Sequence, residues 1–240
     1  MKWMVEQIKS DLRELATPER AMNSAWFFKT GPGQYGEGDQ FLGITVPDQR
    51  KVAQKYKDLS LRDAERLLAS KWHEERLTAL IILVNQFKKA DLPKKKEIYE
   101  FYLSHTARIN NWDLVDTSAR DIVGGYIYYN QELLPTLDHL AISKSLWERR
   151  IAIIATFYFL MKGEPDVTIT LSKVLLQDKE DLMHKAVGWM LREMGKRCDR
   201  QVLIGFLDQY AHEMPRTTLR YAIEHLDPQT RKKYLTMKAS

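Results

Sequence analysis

A single cysteine, Cys198, occurs in 240 residues, so no internal disulfide can form and no thiolate metal site can be built. A reducing, cytoplasmic setting is the expectation. No apolar run approaches the roughly 18 residues a membrane helix needs. The opening MKWMVEQIKSDLREL is amphipathic and lacks the apolar block of a signal peptide. The six histidines (73, 105, 139, 184, 212 and 225) fall in no metal-ligand spacing. Neither a metal nor a cofactor is therefore expected. Charge of one sign is not in large excess: 37 Lys and Arg against 32 Asp and Glu leave +5. That bias permits an anionic partner without demonstrating one. Strand-like alternation is nearly absent, and its one instance, VTITL (Val167 to Leu171), sits in a helix-sized slot.

Helix signals fill the chain instead. Thr17-Pro18-Glu19 reads as an N-cap followed by proline at the first helical position. Pro47 opens VPDQRKVAQKYK, Ser60 and Asp63 form a capping-box variant, Asp91 caps PKKKEIYEFYLSH, and Gly163 stops the helix containing IAIIATFYFLM. The expected fold is all-α.

The helices also repeat. When HEERLTALIIL, NNWDLVDTSA, WERRIAIIATF, HKAVGWMLREM and PRTTLRYAIEHL are aligned, Arg76, Asp113, Arg150, Lys185 and Arg220 share a column. They are separated by 37, 37, 35 and 35 residues. Two helices per repeat at that period predict a HEAT-like solenoid, an α-α superhelix whose second helices line a concave basic groove. One repeat domain spanning 1–240 is expected. Residues 1–58 would hold N-terminal helices and a Gly-rich loop, 59–228 the helix pairs, and 229–240 a tail.

NNWDLVD, Asn110 to Asp116, places two carboxylates and a tryptophan in two turns. With the shared column at zero and about 100° per residue, Asp116 falls near about −60° and Trp112 near about −100°. On the same scale Arg192 falls near about −20° and Trp189 near about +40°. Met183, Val187, Met190, Leu191 and Met194 occupy the opposite, buried side of their helix. Asp116, Trp112, Arg150, Trp189 and Arg192 thus project from a non-core arc of three consecutive repeats and can converge on one cleft. Two readings of Asp116 compete at this point: a cleft carboxylate, or one half of an inter-repeat ion pair with Arg150. Trp3, Trp26, Trp72 and Trp147 read as packing. No histidine is read beside the site.

FFKTGPGQYGEGDQFLGITVP, Phe27 to Pro47, contains a literal G-x-G-x-x-G from Gly31 to Gly36. A dinucleotide fingerprint needs a strand before it and a βαβ unit around it. Here a helix precedes it and no parallel sheet is available, so nucleotide binding is rejected. The loop is read as structural bracing, with backbone N–H groups available to a helix end or a phosphate.

FFKTGPGxYGxGDxFLG, HExR followed by AL, NNWDLVD, W-x-RR-x-A and KAxGWxLRE in register resemble the AlkD-type DNA alkylation repair proteins, a HEAT-like family. The resemblance spans about residues 20 to 200. It implies an alkylpurine DNA glycosylase that grips duplex DNA in its concave groove and hydrolyses the N-glycosidic bond of N3- or N7-alkylated purines. It further implies Asp116 as catalytic carboxylate, Trp112 and Trp189 as aromatics beside the lesion, and Arg150 and Arg192 as DNA-contacting arginines. A monomer acting on alkylated duplex DNA, without membrane or metal, is expected. The chain departs from members that carry a second tryptophan where Asn111 stands and an aromatic pair in place of Asp181-Leu182. The rival reading is a non-catalytic HEAT-like module that binds DNA or a protein.

Overall fold

The computed structural model describes residues 2–237. Among them no strand forms, and the chain is helical throughout apart from its loops. The VTITL run lies inside a helix, Asp166–Val174. No described helix is long and apolar enough to cross a membrane.

The chain divides into two compact units, residues 1–118 and 119–240. The first contains α1 (Lys2–Glu14), α2 (Pro18–Phe27), α3 (Val46–Lys55), α4 (Leu61–Leu68), α5 (His73–Lys89), α6 (Leu92–Ser104) and α7 (Trp112–Ala119), which ends it. Its helix starts are fixed by capping side chains. Thr45, Ser60 and Asp91 each accept the backbone N–H three residues on, satisfying donors that the helix itself leaves unpaired. Thr45 rather than Pro47 therefore marks the start of α3. At α2 the Thr17 side chain makes no cap bond, and Pro18 at the first position sets the helical φ instead.

At the centre of this unit is α5. Its residues from His73 to Val84 are all buried, and α3 and α4 pack against it. Such all-round burial is why the charged HEER opening must find partners inside the protein. Helix α2 is the opposite case, with no buried residue. Trp26 and Trp3, expected to pack, are 83% and 72% exposed. Trp26 lies on α2, which buries no residue, and Trp3 lies on α1 away from its buried Val5, Ile8 and Leu12.

The second unit begins with a five-residue π-helical turn, Arg120–Gly124. It continues through α8 (Gly125–Tyr128), α9 (Leu134–Ala141), α10 (Leu146–Ala155), α11 (Phe157–Met161), α12 (Asp166–Val174), α13 (Asp181–Arg197), α14 (Arg200–Tyr210), α15 (Arg216–Ala222) and α16 (Pro228–Leu235). The pairs α9/α10 and α12/α13 pack together as the aligned repeats predict, and α13 also packs against α10, α14 and α15. Met183, Ala186, Val187, Met190, Leu191 and Met194 form the buried side of α13. Thr156 divides the IAIIATFYFLM helix into α10 and α11, and Gly163 ends α11 with φ +81°. The Glu164 N–H then reaches back to the Phe159 carbonyl at 3.1 Å, closing the helix as glycine-terminated helices do.

Candidate active site

In the first unit, the four residues that open α5 are all buried and all bonded to other parts of the structure. Glu74 is buried, and its carboxylate accepts the backbone N–H groups of Leu42 (2.9 Å), Gly43 (2.8 Å) and Ile44 (3.3 Å). The loop N–H groups left open to a phosphate or a helix end are thereby occupied by a protein carboxylate. Gly43 has φ +79°, and a Cβ there would lie 2.2 Å from the Thr17 carbonyl oxygen, so only glycine fits. Glu75 is paired with Arg13 at 3.2 Å and Lys9 at 3.8 Å.

Arg76 and His73 reach Asp39, at the end of the Gly-rich loop. Arg76 donates to Asp39 Oδ1 at 2.5 Å, and His73 Nδ1 meets Asp39 Oδ2 at 3.1 Å. Asn111 Nδ2 donates to the same Oδ2 at 3.0 Å. The other ring nitrogen of His73, Nε2, lies 2.8 Å from Asp113 Oδ2. Burial favours the neutral form of Asp39, but His73, Arg76 and Asn111 outweigh it and bring its pKa down to about 2. Burial also disfavours a charged His73, yet Asp113 and then Asp39 prevail and raise its pKa to about 9. At neutral pH the ring is an imidazolium between two carboxylates.

The reading that no histidine stands near the site is thus corrected. Forty residues separate His73 from Asp113, and helical periodicity carries no information over that distance. The legible signal was four consecutive polar residues, HEER, directly ahead of the apolar run of α5. Equally, Asp39 preceding FLGI was open to view.

Asn111 caps α7. Its carbonyl accepts the Val115 N–H at 3.2 Å, and its side-chain oxygen accepts the Trp112 N–H at 2.8 Å. Trp112 therefore stands between two residues, Asn111 and Asp113, both fastened to the Asp39–His73 network. Its indole stacks on Phe28 (centroids 5.2 Å apart, planes 19° apart) and meets the edge of Phe27 at 6.0 Å. Phe28 also packs on Phe41 and on the His73 ring. Trp112 and Asp116 share α7, one turn apart, and both are half-buried, while Leu114 and Val115 are fully buried.

The second unit holds the other three site residues. Trp189 and Arg192 lie three residues apart on α13. Trp189 is half-buried and meets Phe157 edge-on at 5.8 Å. The Phe157 ring in turn has Arg120 at 5.7 Å and Arg197 at 4.8 Å over it. Arg192 forms an ion pair with Glu224 of the segment after α15. Arg150, expected on a non-core arc, is only 5% exposed and donates to the Leu182 carbonyl at 2.6 Å. Residues 150 to 155 of α10 are all buried, which leaves its arginine no open side. Among the described residues, no group of three or more His, Cys, Asp or Glu side chains is placed to hold a metal ion.

A family profile described as DNA alkylation repair enzyme matches residues 8–226. Among curated proteins, none matches. Of solved structures, one described as a predicted DNA alkylation repair enzyme from Enterococcus faecalis is similar at TM-score 0.70 and 18% identity, covering 89% of this chain and 97% of that one. AlkD2 from Streptococcus mutans is similar at TM-score 0.58 and 20% identity, covering 76% of this chain and 91% of that one. These likenesses show the fold.

Proposed function

We propose a DNA glycosylase activity for this chain, which belongs to the DNA alkylation repair enzyme family. The substrate is duplex DNA carrying a purine alkylated at N3 or N7. Asp116 is the catalytic carboxylate, Trp112 and Trp189 are the aromatics that meet the cationic base, and Arg192 serves the DNA backbone. The observation that carries this reading is the first turn of α7. There a half-buried tryptophan, backed by Phe28 and clamped by its two neighbours, stands one turn from a half-buried carboxylate.

The chemistry suits those groups. As the N-glycosidic bond breaks, its electron pair goes to the base and positive charge builds on the deoxyribose, as in glycoside hydrolysis. A fixed carboxylate stabilises that charge and orients water, whose oxygen bonds to C1′ and whose proton passes to the carboxylate or solvent. A base alkylated at N3 or N7 is already cationic and leaves as a neutral molecule, so no general acid is required. His73 could not supply one: it is 2% exposed and both ring nitrogens face carboxylates. Indole faces favour the cationic base by about 0.5–2 kcal/mol each. Arg192 keeps a fifth of its side chain exposed, whereas Arg150 is buried against the Leu182 carbonyl and takes no part in the reading.

Chromatography of bases freed from defined duplexes tests the proposal. Release of 3-methyladenine and 7-methylguanine is expected, with little or no hypoxanthine or uracil, which need protonation to leave. Hypoxanthine released as fast as 7-methylguanine would overturn the mechanism. Duplex binding with no release from any alkylated substrate would establish the non-catalytic module instead.

A further inference from the structure

We infer that His73 is a positioning residue: its imidazolium, fastened to Asp39 on one side and Asp113 on the other, fixes the first turn of α7 and so the direction of Trp112 and Asp116. This rests on the roles proposed above for those two residues.

Four observations converge on it. The ring is fully committed, with Nδ1 at 3.1 Å from Asp39 and Nε2 at 2.8 Å from Asp113, and two carboxylate acceptors require both ring N–H groups. The ring is stacked on Phe41, centroids 4.6 Å apart, and tilted against Phe28 at 5.1 Å. Phe28 in turn stacks on Trp112, which links the imidazolium to the indole by packing as well as by hydrogen bonds. The charges balance: Asp39 and Asp113 face His73 and Arg76, and Asn111 completes the hydrogen bonds of Asp39.

A buried ionic network of this kind gains little stability over well-packed apolar side chains of the same volume, because desolvation offsets much of the attraction between the charges. What it does supply is geometry, since each bond has one distance and one direction. Three separate segments meet at this ring: the Gly-rich loop, the start of α5 and the start of α7. Fixing the loop to α7 through a charged ring determines where residues 111 to 113 sit, and Trp112 is the middle one.

The test uses the full chain. In the wild-type protein at neutral pH, nitrogen NMR should show both His73 ring nitrogens protonated, and a neutral tautomer would overturn the inference. In His73→Gln, and separately in Asp113→Asn, the Trp112 indole N–H signal should move while the other five tryptophans hold theirs. Single-turnover release of 7-methylguanine should fall about tenfold to a hundredfold with duplex Kd within about twofold, the pattern of misplacement rather than lost binding. Wild-type release with an unmoved Trp112 signal in a folded variant would overturn it. So would displacement of all six indole signals together with loss of duplex binding, which marks a merely structural role. Should His73→Gln fail to fold, Asp113→Asn decides, because it leaves the Asp39–His73 and Asp39–Arg76 bonds in place. If the wild type itself releases no base, the glycosylase proposal fails, and the ring and indole measurements still decide the positioning role.

Discussion

Phe28 lies face to face with Trp112, ring centroids 5.2 Å apart and planes 19° apart. One face of the indole is thereby covered by protein, and a cationic base can meet only the other face or the edge. Phe28→Leu keeps an apolar filling but removes the stacking. Thermal unfolding should show a loss of about 0.5–1.5 kcal/mol beyond what packing alone predicts. Release of 7-methylguanine should slow in the same variant. An unchanged melting temperature and rate would make the stack incidental.

Asp116→Asn should nearly abolish base release while leaving fold and duplex affinity close to wild type, since only transition-state charge stabilisation is lost. The expected loss is roughly 10²–10³ in rate, the usual cost of one preorganised electrostatic contact. Retention of more than about a tenth of wild-type release would move the catalytic role to another residue.

Arg192 is held by Glu224, which competes with any phosphate for the same guanidinium. Glu224→Gln should therefore tighten duplex binding, and Arg192→Ala should weaken it and flatten the salt dependence by about one phosphate's worth. Titrations at several salt concentrations check both. If neither variant shifts the slope, the pair is purely structural.

The His73 network links stability to pH. The folded-state pKa of His73 is raised to about 9, so its contribution is complete below its ordinary value of 6.5 and is lost as pH rises through about 9. Asp39 is lowered to about 2, so its contribution is complete above 3.8 and is lost as pH falls through about 2. Unfolding free energy should thus decline between about pH 6.5 and 9 by on the order of 2–4 kcal/mol. His73→Gln should abolish that decline. Denaturant titrations across this range measure it, and an equal slope in the variant would assign the decline to other groups.

Glu74→Ala should be among the most damaging single changes in the first unit. It leaves the N–H groups of Leu42, Gly43 and Ile44 without their acceptor, each worth about 1–3 kcal/mol when buried. A fall in melting temperature of more than about 6 °C is expected, given about 2–4 °C per kcal/mol for a chain of this size. A smaller fall would mean that water replaces the carboxylate.

The sequence by itself determined the helical class and the caps at Ser60 and Asp91, because these depend on contacts three or four residues apart. The column at Arg76, Asp113, Arg150, Lys185 and Arg220 was readable for a different reason, the recurrence of one pattern along the chain. The turn of Trp112 and Asp116 onto one helix was local, as the caps were. Tertiary structure alone decided what lies against that helix. Asp39 meets Asn111 across 72 residues and His73 meets Asp113 across 40, pairings that no helical period encodes. It also decided that Arg150 is buried and that Trp26 is not, since exposure depends on which neighbours arrive rather than on the face a residue occupies. The charged opening of α5 shows the boundary between the two. HEER is conspicuous in sequence, but its meaning lies in partners brought from elsewhere, because buried charges are tolerated only where the folded chain supplies counter-charges or hydrogen-bond donors.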